Sequence, residues 1–539
     1  MDQRTLLAIT LSFILLVVYQ TLTEIYFPPP APQVTQQQKP EEPKADSGKK
    51  NDTTETAKPP AQASAPQPVA GAETTFAFKN DLVTGRIFNT GARIADLQFS
   101  HYLDKLPPDG KPIAFLHDQG PHLFFEESGY LGEVGVPLPN RNTPWQAQGN
   151  NQLQPGSPLL LTWDNGQGLR FEKQFTMEQG SYLISVTDRV VNQSGKPVTL
   201  YHFSHFVRNE PKPEGQQAMA PADFQGPMGY LDGLRVTHAY EDLRKGDQRL
   251  GAQDGWAGFS DKYFLAAIIP DQPGTSKKIY FDFDDPTHRV GVVAGKQELD
   301  NGARLEKTTR LFIGPKALHT LESMNLKLER SIDYGWFHFL AEPLVKLLLF
   351  FNAMLHNYGL AIILLTVIIK LLFYPLATKS YRSMNAMKKL APKMEEIKKL
   401  YAHDKALMQQ ETMKMYQENK VNPLGGCLPI LVQIPVFFAL YKVLLLSVEM
   451  RQAPFFFWVR DLSEMDPYYV LPLLMGASMF VQTKLNPAPA DPVQAKVMLF
   501  LPVIFTFMFL TFPSGLVLYW LVNNILSIAQ QGYIMKQEG

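Results

Sequence analysis

The sequence predicts an α-helical polytopic membrane protein with six transmembrane helices, carrying a large all-β domain outside the bilayer. Three observations lead there: an uncharged apolar run close to the N-terminus, a middle stretch of about 255 residues patterned with period 2, and a strongly apolar final third. At 539 residues the chain is too long for one ordinary domain, so two or three units are expected. Its 51 basic and 51 acidic residues balance, which argues against specific or general nucleic-acid binding, because replacing phosphate counterions requires a cationic excess. Cys427 is the single cysteine. An intramolecular disulfide and metal sites built from several thiolates are therefore excluded, and neither a cofactor nor a metal is expected.

Residues 1–27 read as a signal anchor. The run 5–23 lies between Arg4 and Glu24, and 19 residues in a helix reach roughly 28 Å, enough to span a bilayer. No A-x-A cleavage pattern follows, only Gln20, Thr21 and Leu22, so the anchor is expected to stay uncleaved. Residues 28–75 turn to Pro, Gln, Lys, Ala and Thr, a composition that cannot bury a core and reads as a disordered tether.

Residues 76–330 consist of short alternating segments separated by Gly, Pro, Asn and Asp. Leu169, Phe171, Phe175 and Met177 alternate with Arg170, Glu172, Gln174 and Thr176, while Ile279, Phe281 and Phe283 alternate with Tyr280, Asp282 and Asp284. Both segments read as half-buried strands of a large β-sandwich. His202 and His205 look like a ligand pair, but a spacing of three puts strand residues on opposite faces, so they read as ordinary strand histidines.

Residues 331–357 carry an amphipathic helix with Phe337, Leu340, Leu344, Leu347 and Phe351 on one face. Glu342 and Lys346 interrupt it, so it is predicted to lie along the membrane interface rather than cross it. The core, 358–533, holds five candidate spans at 358–376, 427–448, 468–483, 497–512 and 516–533. Pro429, Pro435, Pro472 and Pro502 fall inside them, which suggests helices packed on neighbours or crossing thin lipid. Between the first two spans, 378–420 reads as a helical hairpin with arms at 379–401 and 404–419, turning at Ala402 and His403. This segment has ten Lys or Arg against five Asp or Glu, whereas 449–467 has two against four. By the positive-inside rule the hairpin is cytoplasmic, as are both termini including the tail 534–539, and the β domain is periplasmic.

Four motifs then stand in order: Asn422-Pro423-Leu424-Gly425-Gly426-Cys427-Leu428-Pro429, Gln433-Ile434-Pro435-Val436-Phe437, Arg451-Gln452-Ala453-Pro454-Phe455, and Phe512-Pro513-Ser514-Gly515-Leu516-Val517-Leu518-Tyr519. Together they resemble the YidC, Oxa and Alb insertase family across about 358–533. The anchor, tether and large outer domain resemble its Gram-negative form. The resemblance implies a β-supersandwich, a multi-pass protein of the bacterial inner membrane, and a membrane insertase and chaperone. Such a protein inserts and folds inner-membrane proteins both independently of the Sec translocon and together with it. It further implies a hydrophilic groove open to cytoplasm and lipid, and as partners nascent membrane proteins, the ribosome, the Sec translocon with its accessory subunits, and membrane lipids.

The first core span carries Lys370 where many bacterial members have Arg; charge is retained, the guanidinium fork is not. Lys370 lies about 18 Å along that span by helix rise, with Thr366 one turn earlier on the same face. A lysine at such depth costs roughly 2.5–3.5 kcal/mol unless it meets water or a partner, and snorkelling to the surface is the alternative. In the family's context Lys370, Thr366, Gln433 and Asn523 form the substrate groove, and Phe437, Met475, Phe505, Tyr519 and Trp520 a hydrophobic slide beside it.

No catalytic residues are expected. Cys427 has no histidine on a neighbouring span, and neither G-x-S-x-G nor a phosphate-binding G-x-x-x-x-G-K-[ST] occurs. A small-solute transporter would also place a charge in a span, yet the core has no obvious inverted repeat. A non-catalytic scaffold of the Sec translocon stays open as the alternative.

Overall fold

The computed structural model describes residues 74–211, 224–270, 277–419, 421, 428–486 and 492–538. The expected anchor and nearly all of the tether lie outside the described residues, as do Asn422 to Cys427 of the first core motif.

Among the described residues, an eleven-stranded and a nine-stranded sheet pack face to face. Pairing is antiparallel except where Ala77 and Phe78 meet Gln152 and Leu153. The alternation read at Leu169–Met177 is real: Leu169, Phe171, Phe175 and Met177 all point into the core. The fifth position on that inward face, however, is Lys173, a charge where the alternation calls for an apolar residue. At Lys277–Asp284 the expected exposed side is covered as well, since Tyr280 and Asp282 are buried. The Tyr280 hydroxyl lies 2.5 Å from His205 Nδ1, and His205 Nε2 lies 2.7 Å from Glu127. His202 turns the other way, towards Asp188 at 2.9 Å, so the two histidines do sit on opposite faces. Two short helices, α1 (Tyr240–Lys245) and α2 (Leu318–Ser323), complete this part.

The helical part follows as α3 (His338–Leu355), α4 (Tyr358–Leu372), α5 (Tyr374–Lys389), α6 (Ala391–Leu400), α7 (Lys405–Glu418), α8 (Leu428–Leu446), α9 (Val470–Leu485), α10 (Pro492–Phe509) and α11 (Ser514–Glu538). Asn357 caps α4, its side chain accepting from Leu360 N at 3.0 Å, and Asp404 caps α7 in the same way. The first core span is shorter than its sequence suggests. It stops at Leu372, and the chain bends by 67° into α5. Pro375 explains this: it has no N–H to donate and fits only the first turn of a new helix. The hairpin's first arm is likewise two pieces, because Pro392 restarts the helix after Leu390. Met394 and Met415 then close α6 against α7 around Leu390.

Among the described residues, 335–355 is by itself long and apolar enough to cross a membrane, and the bent pair α4–α5 passes the same test together. The stretches 433–446, 470–485 and 496–509 are shorter apolar helices. On α3, Lys346 bonds Glu342 at 2.8 Å, while Trp336 and Phe339 beside it are exposed. Leu473, Leu474 and Phe480 on α9, with Phe500, Ile504 and Phe507 on α10, form an exposed apolar surface that suits hydrocarbon and not water. Gly476 lets α9 and α10 approach closely, for a Cβ there would collide with the Thr506 side chain.

The loop between α8 and α9 joins the two parts. Gln452 Nε2 donates to Leu103 O at 3.0 Å, and Leu318 N donates to Glu449 Oε1 at 3.2 Å. Within the loop, fully buried Asp466 accepts from Leu471 N and from Trp458 Nε1, holding the start of α9.

Candidate functional site

In an apolar helix bundle the informative atoms are polar ones without a backbone duty, because each must find a partner away from water. On α4 these are Thr366 and Lys370. The Thr366 hydroxyl donates to Ile362 O of its own helix at 2.6 Å and is enclosed, so it contributes to the helix rather than to a cleft. Lys370 is half-buried in the last turn of α4, and its Nζ donates to Ser527 Oγ on α11 at 2.7 Å. Ser527 Oγ in turn donates to Asn523 O at 2.7 Å. One hydroxyl therefore joins α4 to α11. Among the described residues no carboxylate pairs with Lys370.

Gln433 lies further along. Its Nε2 donates to the Tyr519 hydroxyl at 2.5 Å, joining α8 to α11. Tyr519, Asn523 and Ser527 are spaced by four, so the Gln433 and Lys370 junctions sit on one stripe of α11, about 12 Å apart by helix rise. Lys370, Asn523 and Gln433 are thus strung along α11, Thr366 stays within α4, and the four groove residues do not converge on a single point.

Of the slide residues, Phe437, Trp520 and Phe505 come together. Phe437 meets the Trp520 ring edge-on at 4.7 Å, and Phe505 stacks on it at 6.4 Å. Phe509, one turn from Phe505 on the same helical stripe, also lies 5.2 Å from Trp520. Met475 does not join them as a lining residue: it is fully enclosed, because α9 turns it into the bundle and presents Leu473 and Leu474 outward. Tyr519 is almost as buried, being held by Gln433.

Sequence reasoning missed Ser527, Asn524 and Ser478. Asn524 Nδ2 donates to Ser478 Oγ at 3.0 Å across α9 and α11, and Gln530 Nε2 donates to Thr378 Oγ1 at 3.1 Å across α5 and α11. Hence α11 is a polar spine bonded to α5, α8 and α9 as well as α4, with interhelical bonds worth about 0.6–2 kcal/mol each in a membrane. The available signal was the continuation of Tyr519 and Asn523 to Ser527 at the same spacing. Among the described residues no group of three or more His, Cys, Asp or Glu is placed to hold a metal ion.

Residues 75–347 match the family described as the YidC periplasmic domain, and residues 350–539 match the 60Kd inner membrane protein family. A protein named membrane protein insertase YidC in Magnetococcus marinus is 54% identical, across 100% of this chain and 99% of its own length. One of the same name in Methylococcus capsulatus is 42% identical, with 85% of this chain and 84% of that one covered. The crystal structure of an active YidC insertase with its first transmembrane domain resolved overlaps 86% of this chain and 92% of its own. The overlap has 18% identity and a TM-score of 0.38. With the outer β-rich domain and the helical inner-membrane region each matched in turn, the chain belongs to the YidC membrane protein insertase family.

Proposed function

We propose that this chain inserts and folds inner-membrane proteins, alone and beside the Sec translocon, by way of a polar groove that starts at Lys370 and runs along α11. In this reading the groove opens to cytoplasm and lipid and is closed towards the periplasm, with Phe437, Trp520 and Phe505 as its apolar flank. Six helices cross the inner membrane, counting the N-terminal anchor; α3 lies along the periplasmic interface, both termini are cytoplasmic, and the hairpin 378–420 receives ribosomes and nascent chains. The hairpin's ten basic residues exceed what topology needs.

The observation that carries the proposal is the contact of Lys370 with Ser527. A cation satisfied by a neutral hydroxyl keeps its full charge to attract water or an acidic segment, where a salt bridge would cancel it. An insertase must move a short polar tail through hydrocarbon, and a hydrated cationic entry shortens that path. The client's apolar helix then supplies the drive on entering lipid, roughly 25 cal/mol per Å², assisted by the membrane potential on charged tails. No nucleotide hydrolysis is required.

Purified protein in liposomes tests this directly. Wild type inserts a small Sec-independent client into a protease-protected state, and Lys370→Ala inserts less. If wild type alone inserts nothing, the Sec scaffold reading replaces the insertase.

A further inference from the structure

The loop between α8 and α9 holds its backbone in an arrangement that its side chains do not favour. Phe455 N donates to Val459 O at 2.9 Å and Val459 N donates to Phe456 O at 3.3 Å, so residues 456–459 close a tight turn. Its first central residue is Phe457, at a φ of 58°. Glycine ordinarily supplies a positive φ at that position, because a Cβ crowds the backbone there. Tyr469, just before α9, has the same left-handed φ of 58°. Bulky residues stay in that region only where their surroundings force it.

The flanks of the turn supply the constraint. Phe455 lies against α4 where Gly359 leaves room, for a Cβ on Gly359 would collide with the Phe455 ring. Val459 is enclosed. One carboxylate ties the two ends of the loop together: Asp466 Oδ1 accepts from Trp458 Nε1 at 2.9 Å and from Tyr468 N at 3.0 Å. What this clamp presents outward is apolar. The Phe457 ring is 91% exposed, and Phe456, Tyr468 and Tyr469 are exposed with it. Holding such rings in water would add a solvation cost to the strained turn, whereas an apolar surrounding would repay both.

The neighbouring helices identify that surrounding. Leu473 N donates to Tyr469 O at 3.1 Å, so Leu473 stands one turn on from Tyr469, and there the exposed apolar face of α9 begins. On the other side Asn357 Nδ2 donates to Phe455 O at 3.5 Å, and the last turns of α3 before it expose Phe350 and Met354. The aromatic tip therefore adjoins two apolar stripes. Arg460, also exposed, follows directly after the turn. Aromatic rings beside a cation at the end of an apolar helix suit the boundary between headgroups and acyl chains.

We propose that this turn is a lipid-docking site, at which Phe456 and Phe457 enter the periplasmic leaflet of the bilayer at that boundary, with Tyr468 and Tyr469 at the same level. The site rests on the reading that places α9 in the membrane and this loop on its periplasmic side. It adds an anchor that takes no part in moving a client.

Fluorescence quenching in liposomes of phosphatidylethanolamine and phosphatidylglycerol tests it. In a Cys427→Ser chain, an environment-sensitive fluorophore is attached in turn at Phe456→Cys, at Leu473→Cys on α9, and at Val134→Cys, which is fully exposed on the β domain. A nitroxide on the upper acyl chain is expected to quench the Phe456 and Leu473 labels at least about threefold more than the Val134 label, and aqueous iodide to show the reverse order. Phe457→Gly suits the left-handed turn and removes the ring, and is expected to raise iodide quenching of the Phe456 label about twofold. Iodide quenching at Phe456 equal to that at Val134, with Leu473 in lipid, overturns the proposal and leaves the membrane placement standing; Leu473 in water overturns both. A Phe456 label shielded from both quenchers means that protein covers the rings, which overturns the proposal too, as does an unchanged signal in Phe457→Gly. Thermal unfolding establishes that each chain is folded; should Phe456→Cys not be, Tyr468→Cys takes its place with the same expectations.

Discussion

Lys173 in the β domain and Lys370 in the helical region are both drawn away from bulk water, and they are held in opposite ways. Lys173 is fully enclosed. Its Nζ reaches the Asp188 carboxylate at 2.8 Å, Ser128 O at 2.7 Å and Ser128 Oγ at 2.6 Å, so charge and all three donors are answered. Lys370 is half-buried and bonds only the neutral Ser527 hydroxyl among the described residues. A lysine matched by a counter-ion is part of the architecture; one matched by a hydroxyl keeps its field available to something that arrives later. Perturbing each lysine in turn either breaks this contrast or sharpens it.

The largest effect is expected at Lys173. Lys173→Ala takes from buried Asp188 the ammonium that contacts it at 2.8 Å, and should destabilise the domain by about 3–5 kcal/mol, measured by denaturant unfolding of the full chain. Although burial alone would raise it, Lys173 and then His202 hold the Asp188 carboxyl well below the usual carboxylate range. Such a group contributes stability above its unfolded-state pKa that is lost as pH falls through the folded one, so the difference between wild type and variant should narrow under strong acid. A change under about 1 kcal/mol at neutral pH would show that the pair is no more than a surface-like contact.

At Lys370 the expected damage is to activity rather than stability. For a client with an acidic translocated tail, insertion into vesicles should decline in the order Lys370→Arg, Lys370→Ala, Lys370→Glu, the last by roughly tenfold, with a smaller spread for a neutral tail. Equal activity of Lys370→Glu and wild type on the acidic client would remove charge attraction as its role. Failure of Ala on every client while Glu works would make hydration the function instead.

A smaller effect is expected at Glu126. Its carboxyl is raised from 4.5 to about 8, chiefly by burial, so the folded state holds a proton that the unfolded chain releases. The associated stability is complete below about 4.5 and is lost as pH rises towards 8. Glu126→Gln, which cannot ionise, should flatten the fall of the unfolding midpoint across that window. Parallel curves for variant and wild type would mean that Glu126 ionises freely.

The smallest expected effect is none. Removing residues 76–316 takes away Lys173 and its whole domain while leaving α3 and the core, and simple clients should still be inserted into liposomes at the wild-type rate. Loss of all insertion by a folded, abundant truncation would mean that the two regions do not work separately.

The sequence by itself determined the order of the parts, the β and helical character of each, and the positive charge bias of the hairpin. These depend on periodicity and composition along short stretches, and each strand or helix carries that signal within itself. Family motifs such as Phe512 to Tyr519 are local in the same sense. The bend after Leu372 was half-visible in Pro375, whose effect on a helix is local, although its angle was not. Only the tertiary structure decided where polar atoms end up. Strand parity turns Lys173 inward, but its charge is tolerated there because Ser128, 45 residues away, and Asp188 from the next strand receive it, and Lys370 is held by Ser527, 157 residues away. Met475 shares the apolar signal of its exposed neighbours and is nevertheless enclosed. The physical reason is common to all of them. A sequence pattern states which face of an element avoids water, whereas the cost of burying a charge or hydroxyl is set by the partner brought to it, and that partner is chosen only when distant elements pack.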